Sequence, residues 1–180
     1  HKESGRMTVV HQKSQTSAES GCGKYGGLKR AAPHPDDRQT SCHNGRHPLP
    51  DAETLAQRLG ELGIDATIQV VAYDDAGGMF AARLWWLLRW LGHTRVAVLD
   101  GGLTAWRAAG LPLDTAVPTP SPRHFSPRRQ ADMTVAVEDV MQHLDSGRQQ
   151  LIDARSPDRF RGENETLDPV GGHIPVALNH

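Results

Sequence analysis

Residues 68–92 read IQVVAYDDAGGMFAARLWWLLRWLG, and the fold follows from the three parts of this stretch. Ile68, Val70, Val71 and Tyr73 are β-formers in a nearly unbroken apolar run, which suits a parallel strand covered on both faces. Residues 74–78 break the run with acidic and glycine turn chemistry. From 79 to 91 only Arg83 and Arg89 are charged. Leu84, Trp85, Leu88 and Leu91 recur at helical spacing, and Trp86, Leu87 and Trp90 widen the stripe nearly all the way round. The stretch is a strand, a loop and a helix that needs cover on more than one side.

Upstream, Pro48, Leu49 and Pro50 lead into Asp51 as an N-cap, and Leu55, Leu59 and Leu62 mark one helical face that Gly63 closes. Downstream, residues 95–99 form a short strand, Asp100, Gly101 and Gly102 a turn, and Leu103 with Trp106 a helical turn ended by Gly110 and Pro112. Helix, strand, helix, strand, helix is the alternation of an open parallel α/β sheet. Prolines at 112, 118, 120, 122 and 127 mark a linker, taken as residues 114–133. Beyond it, Val137, Val140, Met141 and Leu144 make a helical stripe closed by Gly147. Leu151, Ile152 and Ala154 make a strand, and Ser156 and Pro157 open another helix. Residues 1–43, whose only apolar cluster is Met7, Val9 and Val10, are unassigned and expected to be disordered.

The chain has 180 residues and a net charge of −1, from 20 basic and 21 acidic residues. That balance leaves no electrostatic footprint for nucleic acid or an acidic membrane. No apolar stretch is long enough to cross a bilayer, and no signal-peptide pattern opens the chain. Cys22 and Cys42, without an export signal, are read as reduced thiols in a cytoplasmic protein. The two cysteines with His43 and His47 lack the tight C-x2-4-C spacing of zinc sites, so neither a metal nor a cofactor is expected. Trp85, Trp86, Trp90 and Trp106, without a basic groove, read as core packing. The first residue is His1, and the chain is read as a fragment.

By chemistry alone the loop after the strand, at Asp74, is the natural site, because ligands of open α/β sheets gather at the carboxyl ends of strands. Gly77 and Gly78 let backbone N–H groups turn inward at a helix N-terminus, which favours an anion. No G-x-G-x-x-G or P-loop spacing is met, and Asp74 and Asp75 oppose an anion. Mg²⁺ on the paired acids lacks a third carboxylate. A plain glycine turn joining two elements is the other reading.

Four segments together carry a resemblance: V-V-A-Y-D-D-A-G-G-M-F-A-A-R-L-W-W-L-L-R-W-L-G-H, V-L-D-G-G-L-T-A-W-R-A-A-G-L-P-L, L-I-D-A-R-S-P-D-R-F-R-G-E and G-G-H-I-P-V-A-L-N. In order and spacing they resemble the tandem rhodanese-type sulfurtransferases, the thiosulfate and 3-mercaptopyruvate sulfurtransferase family. The resemblance implies an α/β fold, a rhodanese-like open parallel sheet with flanking helices, incomplete at both ends. Residues 44–113 would be the second half of a first, non-catalytic domain, and 134–180 the truncated start of a second. Residues 1–42 show neither the D-x-R strand nor the G-H-I-P-like turn that should open the first domain.

In that family a cysteine at the strand end takes sulfur from thiosulfate or 3-mercaptopyruvate, and the persulfide passes it to a thiol or cyanide. The resemblance places Asp74 at the degenerate cysteine position, so this loop should be inert and the catalytic cysteine lies outside the chain. Arg159 matches an anion-binding position in mercaptopyruvate-type members; a surface arginine pairing locally is the other reading. A second arginine expected some nine residues on falls at Asp168, which favours thiosulfate as donor. Val176 stands where the family has glycine, strained if the backbone needs positive φ. His173 is expected to hold its turn rather than to catalyse. The alternative function is a non-catalytic regulatory or interaction module. Finally, residues 151–154 are expected to pair beside residues 70–73, in place of a missing first-domain strand.

Overall fold

The computed structural model describes residues 7–12, as backbone, and 48–180, and these fall into two compact units, His1–Ala131 and Asp132–His180. The first is built on three parallel strands in the order β1 (Met7–Gln12), β2 (Gln69–Asp74), β3 (Val96–Val98), with Val70 opposite Thr8 on one side and Val96 on the other. Its helices are α1 (Ala52–Glu61), α2 (Met79–Trp90) and α3 (Gly102–Ala108).

Each helix begins where its sequence permits. Asp51 caps α1, its carboxylate accepting the Thr54 N–H at 2.8 Å, and α1 buries Leu55, Ala56 and Leu59. Left-handed Gly78, at φ 92°, turns the chain into α2, which buries Ala81, Leu87, Leu88 and Trp90. Trp86 stacks on Trp90 at 6.2 Å, the Arg129 guanidinium lies 5.3 Å over the Trp90 ring, and Trp106 Nε1 donates to the Pro112 carbonyl. Trp85 departs from the expected packing and stays exposed.

Four expectations are corrected here. The neighbours of β2 are β1 and β3, so residues 151–154 do not pair with it. The apolar edge of β2 is met by Met7–Gln12, a strand within a segment expected to lack order; the rest of 1–43 lies outside the described residues. β2 is not equally covered on both faces: Val70, Ala72 and Asp74 are buried while Gln69, Val71 and Tyr73 are half-buried. The proline-rich stretch is only partly a linker, because its second half is fastened to the first unit. Arg123 N–H donates to Gly60 O, Arg128 N–H to Leu91 O and Gln130 N–H to Trp90 O, while Phe125 is buried against His93. These bonds satisfy carbonyls that the ends of α1 and α2 leave without a helical partner.

The second unit holds α4 (Val137–His143), β4 (Ile152–Asp153), α5 (Pro157–Phe160) and β5 (Leu178–Asn179), the two strands pairing in parallel. None of residues 132–180 is buried, and Val137, Met141, Ile152 and Leu178 are exposed. In place of an apolar core there is a polar lattice. Arg155 grips the Asp153 carboxylate through Nε and Nη2 and donates to Gly172 O; Asn179 donates to the carbonyls of Asp153 and Arg155; His173 stacks on Phe160 at 3.7 Å. Val176 sits at φ 61°, the left-handed region that costs a β-branched residue about 1–2 kcal/mol.

Candidate functional site

The β2 carboxyl end delivers Asp74 into the turn ahead of α2, where its side chain is 1% exposed. Oδ1 accepts the N–H groups of Ala76 at 2.9 Å and Gly78 at 2.8 Å; Oδ2 accepts those of Phe80 and Ala81, both at 2.9 Å. Four inward amides at a helix N-terminus therefore converge on one anionic group belonging to the chain itself. Burial pushes this carboxyl toward its neutral form, but the four N–H donors outweigh burial and hold it below the usual carboxylate range. The turn at 100–102 abuts the same strand end. A Cβ on Gly102, whose φ is 57°, would stand 2.6 Å from the Asp74 carbonyl oxygen, so only glycine permits this approach.

Arg159 lies in the second unit, at the end of α5. Nε and Nη2 grip Glu165 with three contacts of 2.9–3.0 Å, and Nη2 also donates to Asp168 Oδ2 at 3.0 Å. The two acids differ: the Glu165 side chain is 6% exposed and that of Asp168 40%. Glu165 also accepts the N–H groups of Asp168 and Leu167, and these, opposed by desolvation and aided by Arg159, hold its carboxyl down at about 2. Arg155 holds Asp153 likewise at about 2. His173 Nδ1 donates to Phe160 O at 2.7 Å, which ties its turn to α5.

Each predicted site residue thus has a defined environment within its own unit: Asp74 in an amide cradle, Arg159 between two acids. Sequence reasoning did not find Glu165, although an acid six residues beyond Arg159 was a readable signal. Among the described residues no group of three or more His, Cys, Asp or Glu is placed to hold a metal, and no helix is long and apolar enough to cross a membrane. Cys22, Cys42, His43 and His47 lie outside the described residues.

Comparison with known proteins gives this geometry a context. Residues 40–109 match the rhodanese-like domain model. The chain is 48% identical over 134 residues to a probable 3-mercaptopyruvate sulfurtransferase of Pseudomonas aeruginosa, covering 74% of the chain and 47% of that protein. It is 36% identical to bovine thiosulfate sulfurtransferase, covering 73% and 46%. Among solved structures, the Escherichia coli protein described with the rhodanese fold of 3-mercaptopyruvate sulfotransferases aligns at a TM-score of 0.64, with 35% identity over 73% of this chain and 49% of that one. The Leishmania major 3-mercaptopyruvate sulfurtransferase aligns at 0.69 and 26% identity over 97% and 50%. The chain spans about half the length of these relatives. With a matching domain model, 48% identity to one sulfurtransferase and a shared parallel α/β architecture, it belongs to the rhodanese-type sulfurtransferase family.

Proposed function

We propose that the protein acts in sulfane sulfur transfer, from thiosulfate to a thiol or cyanide acceptor, through a cysteine persulfide that the 74–78 loop does not carry. The observation that supports this reading is the amide cradle. Four N–H groups at a helix N-terminus are what a thiolate or persulfide needs to stay anionic and reactive. Here Asp74 fills that place. A carboxylate does not carry sulfane sulfur, and its charge repels an anionic donor. Residues 44–113 are accordingly assigned a non-catalytic role, and residues 134–180 an anion-binding one through Arg159.

The relatives named above include both mercaptopyruvate and thiosulfate types. Thiosulfate is preferred because the position of the second expected arginine holds Asp168, whose carboxylate lies on Arg159. The two cysteines fit a reducing compartment, and the cytoplasm is the proposed place of action. The filled cradle also favours a second reading, in which the first unit is an interaction module. The test is incubation of the chain with thiosulfate and cyanide. Thiocyanate at the level of the buffer control is expected, and formation well above it contradicts the assignment.

A further inference from the structure

Resting on the reading of Arg159 as donor-binding, we propose that Glu165 positions the Arg159 guanidinium while Asp168 is its exchangeable counter-ion, displaced when an anionic sulfur donor binds. The two acids meet at Nη2 of the guanidinium. Glu165 takes the Nε and Nη2 edge in a planar, two-point grip, and its own Oε1 is anchored by the backbone N–H groups of Leu167 and Asp168. With its side chain 6% exposed, it is fixed by hydrogen bonds from two directions and shielded from water. Asp168 accepts from Nη2 of the guanidinium and is 40% exposed. A planar fork fixed by one carboxylate, whose Nη2 is shared with a second, solvent-exposed carboxylate, is arranged to trade that second carboxylate for another oxyanion.

Charge sets the direction of the trade. Arg155 and Arg159 face Asp153, Glu165 and Asp168, so the cluster carries one excess negative charge, and removing Asp168 alone makes it neutral. Asp168 therefore competes with any anion for Nη2 and lowers its affinity. Glu165 costs the same charge but fixes the orientation of the fork, so its loss weakens binding. One acid acts on geometry and the other on occupancy, although both contact the same guanidinium.

The test is a titration of the full chain with sodium thiosulfate at constant ionic strength, following the Arg159 Nε–H signal by NMR, in wild type, Asp168→Asn, Glu165→Gln and Arg159→Gln. Asp168→Asn keeps the shape and removes the charge at an exposed site, so folding is not at risk. Thiosulfate is expected to bind Asp168→Asn roughly tenfold more tightly than wild type, the effect of removing one like charge at contact distance from a dianion. Glu165→Gln is expected to bind more weakly, with partial recovery in Glu165→Asp. Equal binding by Asp168→Asn and wild type, or no binding by either, overturns the inference. A thiosulfate response of the backbone amides that persists unchanged in Arg159→Gln instead overturns the reading of Arg159 as the donor-binding residue.

Discussion

At Asp74 the turn and one side chain are matched in charge. The turn builds the environment of an anion, and the chain supplies that anion covalently. Asp74→Asn tests the energetics. Its amide oxygen satisfies one pair of N–H donors, while its NH₂ group faces the other pair, donor against donor. At a position 1% exposed the cost is about 3 kcal/mol, read as a lowered urea midpoint of tryptophan fluorescence. Wild-type stability in this part of the molecule also has a sign with pH. The folded carboxyl is held below its ordinary value, so its contribution is full above the unfolded pKa and is lost as pH falls through the folded one. At this scale the strand end and the glycine turn were legible in the sequence, and they put Asp74 at the helix entry where the structure buries it. The sequence could not show that four amides converge there, because that depends on the φ of Gly77 and Gly78, 75° and 92°, set by the helix entry.

Among elements, α1 and α2 were legible because each carries its own period and its own cap or glycine stop. The packing of residues 123–130 was not, since prolines mark the absence of a helix or a sheet without saying what the chain lies against. Gly60 makes the point in energetic terms. Helix propensity favours alanine there by about 1 kcal/mol. The structure opposes it: a Cβ would stand 2.4 Å from the Arg123 carbonyl oxygen, beside the Arg123 N–H bond to Gly60 O. Backbone cannot step aside as a flexible side chain does, so the clash outweighs the propensity. Gly60→Ala is predicted to destabilise the first unit by about 2 kcal/mol, measured by denaturant unfolding. A gain in stability would mean that the 123–130 segment is not seated on α1.

Across the whole molecule the two units are held by different forces. The first buries Leu59, Ile64, Ile68, Val70, Leu88 and Leu91; the second buries no residue and relies on ion pairs among Arg155, Arg159, Asp153 and Glu165. Acid should therefore separate them. Asp153 and Glu165 are each held at about 2 in the folded chain, against ordinary values of 3.8 and 4.5. Between those limits the unfolded state binds more protons, so stability falls as pH falls. Amide exchange in residues 151–179, corrected for intrinsic rates, is predicted to accelerate between about pH 4.5 and 2 before that of β2 and α2. The opposite order would place the weaker unit elsewhere. The strand order was the least legible feature at this scale. A weakly apolar six-residue segment, Met7–Gln12, takes the place beside β2, and pairing between segments so far apart in sequence leaves no local period to read.

The central claim is that the 74–78 loop is a sulfur-holding cradle in which a carboxylate stands where the nucleophile would be, and replacing that one residue tests it most directly. Asp74→Cys and wild-type chains, each treated with thiosulfate and mapped by peptide mass, are predicted to differ. The variant gains the mass of one sulfur atom at position 74, its thiolate attacking the sulfane sulfur with release of sulfite, and the wild type gains nothing there. An Asp74→Cys chain that folds like the wild type yet takes up no sulfur at position 74 would contradict the account.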